Sequence, residues 1–73
     1  MKPGDLLTVI PRTHSYPIGW VRGEEPHRYT SPTIVVFLEE FLEVGDYPRT
    51  FYRILTPAGE HNINSNYCHK VSP

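Results

Sequence analysis

The sequence predicts an all-β fold, a small five-stranded barrel with a long first loop and a 3₁₀ turn before the last strand. Three observations predict it. Eight prolines are spread along the 73 residues, so no proline-free window combines helical length with a sustained i, i+3, i+4 apolar pattern; prolines spaced this way punctuate short strands. The strongest apolar run, Thr33-Ile34-Val35-Val36-Phe37-Leu38, is β-branched and aromatic, the residue types that pack well on a pleated surface. Turn chemistry recurs between the extended runs, at Lys2-Pro3-Gly4-Asp5 and at Pro57-Ala58-Gly59-Glu60, where proline pre-sets φ and glycine accepts φ > 0.

Taken in order, the first strand spans 5–10 and alternates, with Leu7 and Val9 on one face and Leu6, Thr8 and Ile10 on the other. Pro11 removes a donor and ends it. Residues 11–32 show no period and read as a long irregular loop folded back over the barrel, with room for a small hairpin around "GWVRGEE"; loops this long in compact domains are functional or disordered, and Tyr16, Ile18, Trp20 and Tyr29 argue against disorder. The second strand spans 33–44, with Ile34, Val36 and Leu38 expected to face inward and Val35 and Phe37 outward. The pair Glu39-Glu40 breaks the alternation, and a bulge there would return Phe41 or Leu42 to the core. The third strand spans 51–57, with Tyr52 and Ile54 sharing a face. A tight turn follows, then a short fourth strand around Ile63, a 3₁₀ turn at 65–68 and a fifth strand over 69–72 with Val71 inward.

Size and charge narrow the function. One domain of 73 residues leaves little core to give up to a deep catalytic pocket. The single Cys68 excludes an internal disulfide and fits a reducing, cytoplasmic setting. No apolar run approaches the ~20 residues of a membrane span. Seven Lys/Arg against eight Asp/Glu give a net charge of −1, without the basic excess usual in proteins that grip phosphates. Glu39, Glu40, Glu43 and Asp46 form an acidic stretch that reads as a solvated strand edge and turn.

Two resemblances add to this reading. The closing run Ile63-Asn64-Ser65-Asn66-Tyr67-Cys68-His69-Lys70-Val71 is similar to the end of Src-homology-3-like (SH3-like) barrels, whose Ser-Asn-Tyr turn leads into the last strand. In peptide-binding members the Asn and Tyr of that turn border an aromatic groove; the matching positions are Asn66 and Tyr67. The opening "LLTVIPRTHSY" is not the family's "ALYDY"-type start, and "TFYRIL" stands where its tryptophan pair belongs, so the resemblance implies the barrel rather than a PxxP-binding groove. More of the chain resembles the small SH3-like proteins of tailed phages, cyanophages especially. Gly4, Asp5, Tyr52, Arg53, Ile54, Leu55, Gly59 and Glu60 carry that likeness, which implies a fold and a phage source but no mechanism. "PGDLLTVI" also looks like the start of KOW-type barrels, without the glycine that follows their first strand.

Of the side chains that could carry chemistry, the aromatics stand out. Tyr16, Trp20, Tyr29, Tyr47 and Tyr67, with Asn66 as an orienting hydrogen-bonding group, form the candidate binding surface; aromatics offer large area with few rotors. The alternative is that Trp20 and Tyr16 plug the open end of a barrel. His61, Cys68 and His69 could suggest zinc, but adjacent Cys68 and His69 on extended chain point opposite ways. Cys68 lacks a placed base and Glu39-Glu40 alternate faces, so no catalytic residue, metal or cofactor is expected. Arg12, Arg22, Arg28 and Lys2 beside Trp20 and Tyr29 keep a KOW-like, nucleic-acid-associated barrel as the alternative. The expectation is a non-enzymatic module that binds a host or phage protein, with self-pairing through exposed strand edges as a route to a homodimer.

Overall fold

Strands occupy most of the chain in the computed structural model, which describes residues 1–71. They are β1 (Leu6–Val9), β2 (Thr13–Pro17), β3 (His27–Tyr29), β4 (Thr33–Glu43), β5 (Arg49–Thr56), β6 (Gly59–Asn64) and, after a 3₁₀ turn at Ser65–Tyr67, β7 (Cys68–Lys70). All pairings are antiparallel, and the seven strands form one sheet in the order β3-β2-β6-β5-β4-β1-β7, curled into a half-barrel.

The connectivity forces the curl. β1 and β2 stand four steps apart in the sheet, about 19 Å if it were flat at ~4.8 Å per strand. Only Ile10, Pro11 and Arg12 join them, and four Cα steps reach at most about 14 Å. The corner also bonds to the neighbourhood of both sheet ends: Ile10 N–H donates to Tyr67 O at 3.0 Å, just before β7, and Arg12 N–H donates to Tyr29 O at 2.8 Å, the last residue of β3. The side chains of Leu7, Val9, Tyr29, Val35, Phe37, Ile54, Ile63 and Cys68 fill the resulting interior, with Tyr52 packed against them. Each such burial contributes about 1.5–3 kcal/mol.

Five of the strands, β1 and β4–β7, lie where the sequence places strands, and the turn before β6 has the expected chemistry. Gly59 sits at φ +111°, and Thr56 Oγ1 donates to Gly59 O at 2.9 Å. Four expectations are corrected. The first loop is no loop: it folds into the β2–β3 hairpin, and β2 is stitched to β6 through Tyr16↔Asn62 and Pro17↔His61; "GWVRGEE" lies in the hairpin's connection. The phase of β4 is opposite to that expected: Val35 and Phe37 are 2% and 4% exposed, and Ile34 is 53% exposed. The reason is register, since Val35 pairs with the buried Leu7 and directly opposed residues share a face. The bulge falls one residue earlier, between Phe37 and Glu39, so Leu38 is the extra residue; Phe41 goes to the face away from the core and Leu42 is exposed. Finally, β7 contributes Cys68 to the core while Val71 is half-buried; Ser72, the end of the expected last strand, lies outside the described residues.

The phase of β4 can be read by urea unfolding. Phe37→Ala should cost about 3–5 kcal/mol, while Ile34→Ala should stay within about 0.5 kcal/mol. A larger loss at Ile34 than at Phe37 would restore the opposite phase.

Candidate functional site

The register fixes which residues share the face away from the core. One row across four strands runs Tyr16, Asn62, Arg53, Glu39, and the next runs Asn64, Phe51, Phe41. The bulge at Leu38 puts Glu39 and Phe41 in these rows; without it both would follow Val35 and Phe37 inward. On this face the hairpin and the outer half of β4–β5 stand on either side of two adjoining clefts of about 460 and 270 Å³ that share Tyr16, Arg49 and Phe51. Together they make one groove, with Trp20 and Phe41 at one end and Tyr67 and Asn64 at the other.

The groove's aromatics come from four separate segments and support one another in pairs. Tyr16 and Trp20 meet edge to face, with centroids 4.9 Å apart at 65°. Phe41 and Phe51 are 5.9 Å apart at 31°, and the Arg53 guanidinium sits 6.0 Å from the centre of the Phe41 ring while pairing with Glu39 at 3.0 Å. Trp20 Nε1 donates to Glu24 O at 2.9 Å. This satisfies the indole's polar edge inside its own loop and leaves the ring 37% exposed.

The expected site residues divide. Tyr16, Trp20 and Tyr67 line this groove. Tyr29 does not: it is 3% exposed, in the core, because the β2–β3 register sets it opposite the buried Thr13. Tyr47 is 85% exposed, in the β4–β5 connection and outside the groove lining. Asn66 is exposed; its backbone N–H donates to Asn64 Oδ1 at 2.9 Å, and Asn64, not Asn66, faces the groove. Phe41, Phe51, Arg49, Asn62 and Asn64 are among the lining residues that sequence reasoning missed. The available signal was the spacing of Phe51 and Arg53 on an alternating strand, which sets both on the face opposite Ile54.

A second feature ties the hairpin to the barrel from inside. The fully buried Ser15 Oγ lies 2.9 Å from Tyr29 Oη and 2.7 Å from His61 Nδ1, so one hydroxyl bridges β3 and β6. His27 stacks edge-on with Tyr29 and lies 6.0 Å from the His61 ring. Ser15 is sealed from solvent and is a structural bridge, not a nucleophile. Burial raises the Cys68 thiol to about 12, which keeps it protonated at neutral pH and unreactive. Among the described residues, no three His, Cys, Asp or Glu are gathered to hold a metal, and none of the helices is long and apolar enough to cross a membrane. No protein family, curated protein or solved structure matches the chain.

Two pH-linked outcomes follow. Desolvation, then the neighbouring His27, lowers the pKa of His61 below 6.5. The unfolded chain therefore takes up that proton first as the pH falls, so stability is full above about pH 6.5 and drops from there through the folded value. Unfolding midpoints between pH 7 and 5 should show this slope, flattened in His61→Gln; an unchanged slope in that variant would remove His61 as its source. Cys68 should stay unmodified by Ellman's reagent at pH 8 until denaturant unfolds the chain; rapid labelling of the folded protein would contradict its burial.

Proposed function

We propose that the chain is a non-enzymatic interaction module whose groove, lined by Tyr16, Trp20, Phe41, Phe51 and Tyr67, takes an extended segment of another protein. The observation that carries this reading is the continuity of the groove: rings from β2, its hairpin connection, the β4–β5 arm and the 3₁₀ turn border one open channel. Open aromatic channels suit extended peptides, since each ring covers apolar side chains while backbone groups reach polar neighbours. Asn62 and Asn64 supply such neighbours here.

The same reading makes the fold an SH3-like barrel whose first loop is drawn out into a hairpin. Five strands in the expected order, and Ser65–Tyr67 as a 3₁₀ turn before the last, support it. The residues that resemble tailed-phage barrels support a phage source, a host-cytoplasm setting and a host or virion protein as partner. The free edges of β3 and β7 leave a route to a homodimer, whereas the stretch of β4 beyond its β1 partners Thr33–Val36 carries Glu39, Glu40 and Glu43, which would oppose their own copies. The KOW-like, nucleic-acid-associated alternative rests on the gathering of Arg12, His14 and Arg28.

Selection from a displayed random-peptide library tests the groove. Bound peptides should blue-shift Trp20 emission. Trp20→Ala and Tyr67→Ala, at opposite ends, should each weaken capture about tenfold or more, the loss of a typical hot spot, with unfolding midpoints retained. Capture that is equal in both variants and wild type would place binding elsewhere.

A further inference from the structure

The groove is electrically polarised along its length, although the chain's net charge is only −1. Its Tyr67 end is lined by Arg12, His14 and Arg49 and by no carboxylate. Arg28 adds another guanidinium beside it, its Nε–H donating to His14 Nε2 at 3.2 Å. Among the described residues, neither Arg12 nor Arg28 has an acidic partner. Arg49 meets Glu43 only at 3.8 Å, with the two side chains 60% and 47% exposed, a geometry in which water screens most of the attraction. At the Trp20 end Glu43 offsets the shared Arg49, so that lining carries no net charge.

Arg12 carries a second sign. It is the only non-glycine with positive φ among the described residues, at 65°, a region where a side chain beyond glycine, asparagine or aspartate is strained. The corner requires that φ, since Arg12 N–H must reach Tyr29 O. Glycine would hold the corner with less strain and would bring no charge. Strain kept at a solvent-facing residue marks a role beyond the fold.

We infer that the occupant of the groove is an acidic extended peptide segment: apolar side chains lie over Trp20, Phe41 and Phe51, and Asp or Glu side chains reach Arg12 and Arg49 at the Tyr67 end. The inference rests on the groove being a peptide site. Guanidinium groups recognise carboxylates through paired, charge-assisted hydrogen bonds, and an arriving carboxylate relieves the mutual repulsion of clustered arginines. The polarity favours a short segment over a nucleic acid. A phosphate backbone is negative throughout, and the Trp20 end, where Glu43 offsets Arg49, offers it no net positive charge, whereas a peptide can end its charge where the aromatics begin.

The test uses the full chain and the same displayed library, followed by synthetic peptides of the selected sequences and an oligothymidylate probe. Selected peptides should be enriched in Asp and Glu on one side of an apolar or proline-containing stretch. Changing those acids to Asn and Gln should weaken binding at least tenfold at low salt. The same change should have little further effect in a chain carrying Arg12→Gly and Arg49→Gln. Arg12→Gly alone should raise the thermal midpoint while weakening acidic peptides, which separates charge loss from unfolding. Selection of basic or uncharged peptides that still depend on Trp20 would overturn the charge inference and leave the groove reading standing. No selected peptide, or none sensitive to Trp20→Ala, would remove both. Oligothymidylate binding that fails in the arginine variants, with no peptide bound, would assign the basic end to nucleic acid instead.

Discussion

Everything in this molecule depends on a connection too short for a flat sheet. Ile10, Pro11 and Arg12 must carry the chain between strands four positions apart, and the corner donates backbone hydrogen bonds toward both sheet ends. Curling is the only way to meet that demand, and curling gives the sheet an inside and an outside. The inside receives Leu7, Val9, Ile54 and Ile63, each fully buried. The outside receives the rows that become the groove. The buried Ser15–Tyr29–His61 contacts hold the hairpin in place where apolar packing alone would not specify its register, consistent with the specificity that fully satisfied polar networks provide.

The groove has its own structural requirement, the bulge after Phe37. Strand residues change face with every step, so one extra residue reverses all that follow. Leu38 is that residue, and it turns Phe41 from the core toward Phe51. The same rows hold two buried polar atoms without partners, Arg53 Nε and Asn62 Oδ1. They belong to directly paired residues on adjacent strands; Asn62 lines the groove, while Arg53 lines a neighbouring cleft with Pro17, Glu60 and His61. Unsatisfied groups are uncommon in native interiors.

Much of the fold was legible in local chemistry. Prolines and glycines marked the turns, and alternation grouped Leu7 with Val9 on one face and placed Ile54 and Ile63 inward. The six-residue apolar run Thr33–Leu38 was legible as a strand but not in phase, because consecutive apolar residues carry no period. That error propagated to Phe41. The hairpin was hidden for a related reason. Thr13, Ser15 and Tyr29 face inward although none is aliphatic, and the polar bridge that buries them joins residues 14 and 46 positions apart in sequence. At the site, Tyr16, Trp20 and Tyr67 were identified as loop aromatics, while Tyr29 was included wrongly because burial through a hydroxyl partner leaves no local signature. Phe51 and Arg49 were overlooked because their neighbours in the groove are set by pairing, not by sequence distance.

Solution NMR tests the closure most directly. If the corner curls the sheet as described, cross-strand nuclear Overhauser effects should connect Tyr16 with Asn62 and Thr13 with Tyr29, and the amides of Ile10 and Arg12 should exchange slowly with deuterium. Random-coil shifts across 11–32, with no contacts to β6 and fast exchange at Ile10 and Arg12, would mean that the hairpin is not part of the sheet, and the groove built on it would not exist.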